Sequence, residues 1–158
     1  MEWTTERRYR RYEDWTDDEV KQIKEKMAQS PWHTRYHVEP KMGLLNDPNG
    51  FSYFDGKWIL FYQNFPFGAA HGLKSWVQLE SDDLVHFSET NVKVLPDTKL
   101  DSHGAYSGSA MQFGDNLFLF YTGNVRDENW IRHPYQIGAL IDKDGKITKI
   151  DKILIGQP

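Results

Sequence analysis

The sequence predicts an all-β fold in which a four-stranded antiparallel unit occurs twice after one N-terminal α-helix. Two observations lead to this prediction. After Pro31, short apolar or aromatic runs alternate with Gly, Asp, Asn and Pro turns, and no second helical period appears. In addition, residues 54–63 align with residues 113–122 without a gap, at an offset of 59 positions, and their turn residues coincide. We therefore expect two copies of one structural unit.

The helix is predicted over about residues 17–29. Thr16 and Glu19 have the spacing of a capping box, and Pro31 ends the helical pattern. Between them, one apolar stripe recurs at helical spacing. It consists of Val20, Ile23 and Met27. The polar residues 1–14 are predicted to form a solvated arm whose Trp and Tyr side chains pack on the body.

Strands are predicted near 51–54, 57–63, 74–81, 91–95, 106–113, 116–122, 135–142 and 147–155, with hairpin turns at 55–56 and 114–116. A repeated four-stranded unit of this length is typical of a β-propeller blade. The 59-residue offset aligns Trp76 with Tyr135 and Pro48 with Ser107. Because a closed propeller needs about four to eight blades, we expect a truncated propeller whose open blade faces can self-associate.

Composition excludes several classes of function. The chain has 158 residues, a net charge of −4 and no cysteine, which argues against nucleic-acid attraction, disulfides and thiolate metal sites. It has no signal-peptide pattern and no apolar run near the ~20 residues of a membrane span, so a cytoplasmic protein without membrane contact is predicted. His33 and His37 are four apart but follow the helix end, and no phosphate-cradling loop occurs, so no metal and no cofactor are predicted.

The candidate site is the segment from Leu44 to Gly50, which contains Asn46 and Asp47. Its composition fits a simple turn, and it also fits a rigid backbone that presents Asp47 to a ligand. The repeat favours the second interpretation, because it places Asn46-Asp47 and the 106–109 segment at the same end of one channel. Asp47 could then be a nucleophile, a general base or, least of all, a metal ligand.

Sugar chemistry fits these residues best. Cleavage of an acetal uses two carboxyl groups, one as nucleophile or base and one as acid. Sugar hydroxyls also need amide or hydroxyl partners, and the candidates are Asn46, Gln63, Ser107 and Asn124. Aromatic faces for the sugar's C–H side are Trp76, Phe65, Phe67 and Trp130, although each of them taken alone fits a core position better.

Ordered motifs carry a resemblance to glycoside hydrolase family 32, the invertases, sucrose-6-phosphate hydrolases, inulinases and levanases. The motifs are His37-Val38-Glu39-Pro40, Gly43-Leu44-Leu45-Asn46-Asp47-Pro48-Asn49-Gly50, Phe61-Tyr62-Gln63, Pro66-Phe67-Gly68, Lys74-Ser75-Trp76, Asp83-Leu84-Val85-His86-Phe87, Ser107-Gly108-Ser109-Ala110 and Tyr121-Thr122-Gly123-Asn124. The resemblance covers about residues 33–158, and the N-terminal helix resembles the extension of the bacterial sucrose-6-phosphate hydrolases. Leu44 stands where many members of the family have Trp, as in the bacterial intracellular branch.

The resemblance implies the first two blades of a five-bladed propeller, with residues 1–32 as an arm and helix and residues 33–158 as a partial catalytic domain. It implies a retaining double displacement on β-fructofuranosides, such as sucrose or sucrose 6-phosphate, with Asp47 as nucleophile. Asn46, Gln63, Trp76 and Ser107 match positions that bind the fructosyl unit or shape its pocket.

Two parts of the family pattern have no match in these residues. One is an Arg-Asp-Pro triplet that stabilises the transition state, and the other is a Glu-Cys pair that supplies the acid/base. Arg126-Asp127-Glu128 lacks the proline and comes too early to replace the triplet. The resemblance implies that both parts lie beyond Pro158, so we expect these residues alone to be inactive. The alternatives are a non-catalytic sugar-binding partial propeller and a self-associating fragment.

Overall fold

The body of the protein consists of two four-stranded antiparallel sheets in a computed structural model that describes residues 2–157. In each sheet the strand order follows the chain. The first sheet contains β1 (Leu44–Phe54), β2 (Lys57–Phe65), β3 (Ser75–Ser81) and β4 (Ser88–Val94). The second contains β5 (Ala105–Phe113), β6 (Asn116–Arg126), β7 (Arg132–Ile141) and β8 (Ile147–Lys149). The prediction of an all-β fold with two four-stranded units is confirmed.

Helical structure is confined to the N-terminal part of the described chain. A short helix α1 (Thr5–Arg8) and a 3₁₀ turn (Tyr12–Asp14) precede α2 (Asp17–Ala28). The backbone N–H of Glu19 donates to Thr16 Oγ1 at 3.3 Å, and the Glu19 carboxylate accepts from the Thr16 backbone at 3.0 Å. The capping box is therefore present, and the predicted helix is correct to within one residue.

The N-terminal segment packs its aromatic side chains on the edge of the first sheet. Trp15 is buried and stacks on Phe67, with ring centroids 4.3 Å apart, and Phe65 completes this small core. Arg10 lies over the Trp15 ring at 4.5 Å and holds Glu19 with hydrogen bonds of 2.9 and 2.8 Å. The arm thus packs on the body as predicted, and its arginines serve cation–π contacts and ion pairs.

The main core lies between the two sheets. Strand β6 alternates along its length: Leu117, Leu119 and Tyr121 are buried against the first sheet, whereas Phe118 and Phe120 lie on the opposite, partly exposed face. This period of two is the pattern expected of a strand with one covered face. Contacts between the sheets are concentrated at β1 and β5, which run beside each other.

Bulges shift the repeat by one residue near the candidate site. Pro48 pairs with Tyr62 in β2, and the matching partner of Tyr121 in β6 is Gly108. The expected alignment of Pro48 with Ser107 is therefore wrong by one position, because β1 has a second irregularity between Asn49 and Ser52 that β5 lacks. The residue that corresponds to Ser107 is Asp47, and both lie in a bulge.

A one-residue shift also occurs in the third strand of the unit. Trp76 pairs with Gln63, and the residue that pairs with the corresponding Thr122 is Gln136. Gln136 therefore takes the position predicted for Tyr135. Since successive residues of a strand face opposite sides of a sheet, this shift separates Trp76 and Tyr135 onto different faces of the unit.

Several strand boundaries differ from their predictions, and the two largest differences are at the start of β1 and the end of β8. Strand β1 begins at Leu44, earlier than expected, because its bulges accommodate turn-forming residues within the ladder. Strand β8 ends at Lys149, earlier than expected, because the backbone N–H of Lys152 donates to Ile150 O and turns the chain out of the ladder. A single bridge between Gln136 and Ile155 then restores pairing. Between residues 2 and 157, no helix has the length and apolar character that crossing a membrane requires.

Candidate active site

Asp47 lies in a bulge near the start of β1, the strand of the first sheet that runs beside β5. Its φ of 43° is in the left-handed region, which few residues other than glycine adopt and which asparagine and aspartate tolerate best. The side chain is exposed to solvent. The bulge takes Asp47 out of the hydrogen-bonded ladder and directs it to the rim shared by the two sheets.

Residues of both sheets hold one oxygen of this carboxylate. Gln63 Nε2 donates to Asp47 Oδ2 at 3.1 Å, and Ser107 Oγ donates to the same oxygen at 3.0 Å. Gln63 Nε2 also lies 2.5 Å from Ser107 Oγ. Within residues 2–157, Asp47 Oδ1 makes no hydrogen bond. The carboxylate is therefore fixed through one oxygen and presents the other to solvent.

A buried layer supports these contacts. Asn46 Nδ2 donates to Gln63 Oε1 at 3.3 Å, and the amine of Lys74 donates to Asn46 Oδ1. Gln63 and Lys74 are each 1% exposed. Burial lowers the pKa of Lys74 to about 8, against the opposing attraction of Asp47. Of the predicted polar residues, Asn46, Gln63 and Ser107 thus meet at Asp47.

Trp76 has a different place from that expected of a sugar platform. It is fully buried between the sheets, where it contacts Phe61 and Tyr121 at ring-centroid distances of 5.4 and 5.6 Å. Its indole N–H donates to Tyr106 O at 3.1 Å, directly before Ser107. Trp76 therefore supports the backbone of the site from below, and its faces are covered by other core residues.

The remaining aromatic and amide candidates do not meet at Asp47. Phe65 and Phe67 belong to the core under the N-terminal segment. A core position was the alternative to a sugar-binding role for each of these aromatic side chains. Trp130 is 42% exposed and packs against Tyr9 and His103. Asn124 is buried and accepts a hydrogen bond from Arg132 Nε at 2.7 Å.

The Arg126-Asp127-Glu128 segment lies at the end of β6 and in the loop that connects it to β7. One oxygen of Asp127 accepts from the backbone N–H groups of Asn129 and Ile131, each at 2.9 Å, and the other lies 3.0 Å from His133 Nε2. These contacts lower the pKa of Asp127, chiefly through His133. Both oxygens therefore serve the β6–β7 connection.

Sequence reasoning missed two contributions to the site. Lys74 belongs to one of the ordered motifs, but nothing in its spacing indicates that its amine is buried next to Asn46. Tyr106 contributes its backbone carbonyl to Trp76, and a backbone role leaves no side-chain signal. Within residues 2–157, no three His, Cys, Asp or Glu side chains are grouped so that they could hold a metal ion.

The site is thus a fixed carboxylate with one free oxygen, flanked by carboxamide and hydroxyl groups, at the rim of an all-β domain with two antiparallel sheets. The family model of the "Glycosyl hydrolases family 32 N-terminal domain" matches residues 37–158. The chain belongs to glycoside hydrolase family 32.

Similar proteins are named as sucrose-6-phosphate hydrolases. That of Streptococcus mutans is 71% identical over 96% of this chain and 32% of its own length, and that of Lactococcus lactis is 55% identical over 98% and 33%. The solved structure of sucrose-6-phosphate hydrolase from Lactobacillus gasseri matches with a TM-score of 0.94 and 49% identity, over 99% of this chain and 32% of that one. The chain spans about a third of the length of these relatives.

Proposed function

We propose that these residues form the nucleophile-bearing part of a retaining β-fructofuranosidase that acts on sucrose or sucrose 6-phosphate. The observation that carries the proposal is the geometry of Asp47, whose Oδ2 is held by Gln63 and Ser107 while Oδ1 is free. In a retaining mechanism that free oxygen attacks the anomeric carbon of fructose and forms a covalent fructosyl intermediate. The similarity to sucrose-6-phosphate hydrolases supports the choice of substrate.

Each site residue has a proposed role in this reaction. Asn46 and Gln63 position Asp47 and shape its pocket, and the exposed Ser107 hydroxyl both positions Asp47 and offers a partner to a fructosyl hydroxyl. Trp76 shapes the pocket floor through its hydrogen bond to the Tyr106 carbonyl. The two sheets are proposed to be consecutive blades of a five-bladed propeller, with residues 33–158 as a partial catalytic domain behind the arm and helix of residues 1–32.

The 158 residues contain no Arg-Asp-Pro triplet and no Glu-Cys pair. Glucose is a poor leaving group unless an acid protonates its oxygen. We therefore expect the 158-residue chain to release no fructose from sucrose or from its 6-phosphate. Fluoride, in contrast, leaves without protonation, so β-fructofuranosyl fluoride separates the nucleophile's contribution from that of the acid.

The test is to incubate the chain with β-fructofuranosyl fluoride and to follow fluoride release and intact mass. Attack by Asp47 Oδ1 forms the bond to the anomeric carbon, the carbon–fluorine bond breaks, and fluoride leaves with the electron pair. We expect one fructosyl group on Asp47, located by peptide mapping. Asp47→Asn should abolish labelling, whereas Asp55→Asn, in the β1–β2 turn, should label at the unaltered rate. Equal labelling of the Asp47→Asn variant would refute the proposal.

A further inference from the structure

Lys74 occupies an unusual environment for a lysine. It is 1% exposed, and among residues 2–157 it is the only basic side chain that is buried. Lysine is rarely buried in full without an ionic partner, yet within that range no salt bridge joins it to a carboxylate. Its amine instead donates to the side-chain oxygen of Asn46, next to the proposed nucleophile. A buried cation held by an amide calls for an explanation other than ion pairing.

The hydrogen bonds that start at Lys74 have a fixed direction. A lysine ammonium only donates, so the Asn46 oxygen must face it and the Asn46 nitrogen must face away. That nitrogen donates to Gln63 Oε1, so the Gln63 nitrogen is turned toward Asp47 Oδ2 and Ser107 Oγ. The chain of bonds ends at an ionised carboxylate, which only accepts.

The two ends of this series exclude the flipped orientation of either amide. A flipped Asn46 would direct its NH₂ group at the ammonium, and a flipped Gln63 would direct its oxygen at the Asp47 carboxylate. Either arrangement opposes like partial charges in a buried layer, where unpaired polar groups are costly. Asp47 enforces this orientation from one end of the series and Lys74 enforces it from the other, so loss of the donor at position 74 removes one of the two constraints.

We propose that Lys74 is a positioning residue that orients Asn46 and Gln63 so that Gln63 donates to Asp47 Oδ2 and leaves Oδ1 free. The inference rests on the proposed function in one respect, namely that Asp47 is the group that reacts. The Lys74 amine is buried and already engaged with Asn46, so its proposed role is to position other side chains and not to contact substrate. Its lowered pKa of about 8 still leaves the amine largely charged at neutral pH.

The first test uses side-chain amide NMR signals of the 158-residue chain. Replacement Lys74→Met removes the donor and should shift the Asn46 and Gln63 amide signals together. Lys93→Met makes the same change at an exposed position of the neighbouring strand and should leave both signals in place. In the parent chain both amides should titrate with a midpoint near pH 8, and that step should vanish in Lys74→Met. Unchanged Gln63 signals in a folded Lys74→Met variant would overturn the proposal.

A second variant keeps the lysine paired, in case Lys74→Met fails to fold. Asn46→Asp still accepts from Lys74 but cannot donate to Gln63 Oε1. Gln63 Oε1 then faces a carboxylate in either orientation of the amide, so we expect the Gln63 amide signals to shift and to exchange between two environments. Gln63 amide signals that match those of the parent chain in this variant would contradict the proposal that hydrogen bonds passed on from Lys74 through Asn46 orient Gln63.

Labelling by β-fructofuranosyl fluoride tests whether this relay, the series of hydrogen bonds from Lys74 through Asn46 and Gln63 to Asp47, affects reactivity. With Asp47 misplaced, we expect Lys74→Met and Asn46→Asp to label about ten- to a hundredfold more slowly, and Lys93→Met to label at the parent rate. Shifted amide signals without labelling of the parent chain would support the relay and refute the proposed function. Normal labelling of both relay variants would overturn the positioning role and leave the nucleophile assignment intact.

Discussion

At the residue scale, the position of Asp47 depends on contacts that lie far apart in the sequence. Its left-handed backbone costs about 1 kcal/mol or more for a residue other than glycine. Hydrogen bonds from Gln63 and from Ser107, on the second sheet, hold the side chain in place. The motif around Asp47 made this residue a candidate from sequence alone. Its hydrogen bond with Ser107 depends on the bulges in β1 and β5, which the motif does not show.

A second residue-scale feature is the pair His33 and Glu39, which closes the loop between α2 and β1. His33 Nδ1 lies 2.9 Å from Glu39 Oε2, and Nε2 lies 2.9 Å from Met27 O near the helix end. Because both neighbours accept hydrogen bonds, only the protonated imidazole satisfies them both. The hydrogen bond to Glu39 accordingly raises the pKa of His33, and the same bond lowers the pKa of Glu39 to about 2.

These shifts predict a defined pH window for the stabilisation. The contribution of His33 is complete below its ordinary value of 6.5 and is lost as pH rises through its raised pKa. That of Glu39 is complete above its ordinary value of 4.5 and is lost as pH falls toward about 2. We expect Glu39→Gln to lower Tm most between pH 4.5 and 6.5, and progressively less in alkaline solution.

The measurement is the Tm difference between each variant and the parent chain across pH. Glu128→Gln removes an exposed carboxylate that makes no hydrogen bond or salt bridge within the described range, so its Tm difference should stay near zero. A Tm loss for Glu39→Gln that does not diminish above the His33 pKa would show that protonation of His33 plays no part.

At the scale of elements, the β5 bulge depends on the absence of a side chain at Gly108. A Cβ there would lie 2.1 Å from Phe120 O and 2.6 Å from Tyr121 Cα, both backbone atoms of the paired strand. Gly108→Ala should therefore lower stability by about 2 kcal/mol, or Tm by about 4–8 °C, and displace Ser107 from Asp47. Thermal unfolding and the rate of labelling by β-fructofuranosyl fluoride would measure the two effects.

Gly156 provides the matched control for this substitution. Among residues 2–157, and apart from its two chain neighbours, no atom lies within 4 Å of the position that its Cβ would occupy, and its φ is not in the left-handed region. Gly156→Ala should leave both Tm and the labelling rate within error of the parent chain. If Gly108→Ala matches this control, the close approach of β5 and β6 does not determine the bulge.

Elements differed in how well local sequence predicted them. Helix α2 was placed to within one residue, because its capping box and apolar stripe act within four residues of each other. The hairpin turn at Asp55-Gly56 was also local, and both residues have positive φ as the primed turns require. Local sequence did not predict the register of β1, because the position of a bulge depends on which residues of the next strand oppose it.

At the scale of the whole molecule, the two sheets share one core, but the second sheet has no covering layer on its other face within residues 2–157. That face carries apolar side chains from three strands, since residues paired across a sheet lie on the same side. They are Met111, Phe113, Phe118, Phe120 and Leu140. The repeat predicted this open face from sequence, because a blade normally packs on a neighbour.

This exposed face predicts self-association of the 158-residue chain. Phe113 is 66% exposed and Met111 is 59% exposed, and Phe113 lies beside Phe118 with ring centroids 6.5 Å apart. Burial of such a patch against a second copy removes apolar surface from water at about 25 cal/mol per Å². Light scattering or sedimentation should therefore show dimers or larger species whose proportion rises with concentration. Phe113→Lys places a charge on the patch and should shift the chain toward monomer.

Val85→Lys is the matched control for that prediction, because Val85 is 71% exposed in the β3–β4 connection, away from this face. It adds the same charge and removes a similar apolar side chain, so it separates the effect of the patch from that of net charge. A Val85→Lys chain should associate as the parent does. A parent chain that remains monomeric at high concentration would instead show that these five side chains are too dispersed to hold a second copy.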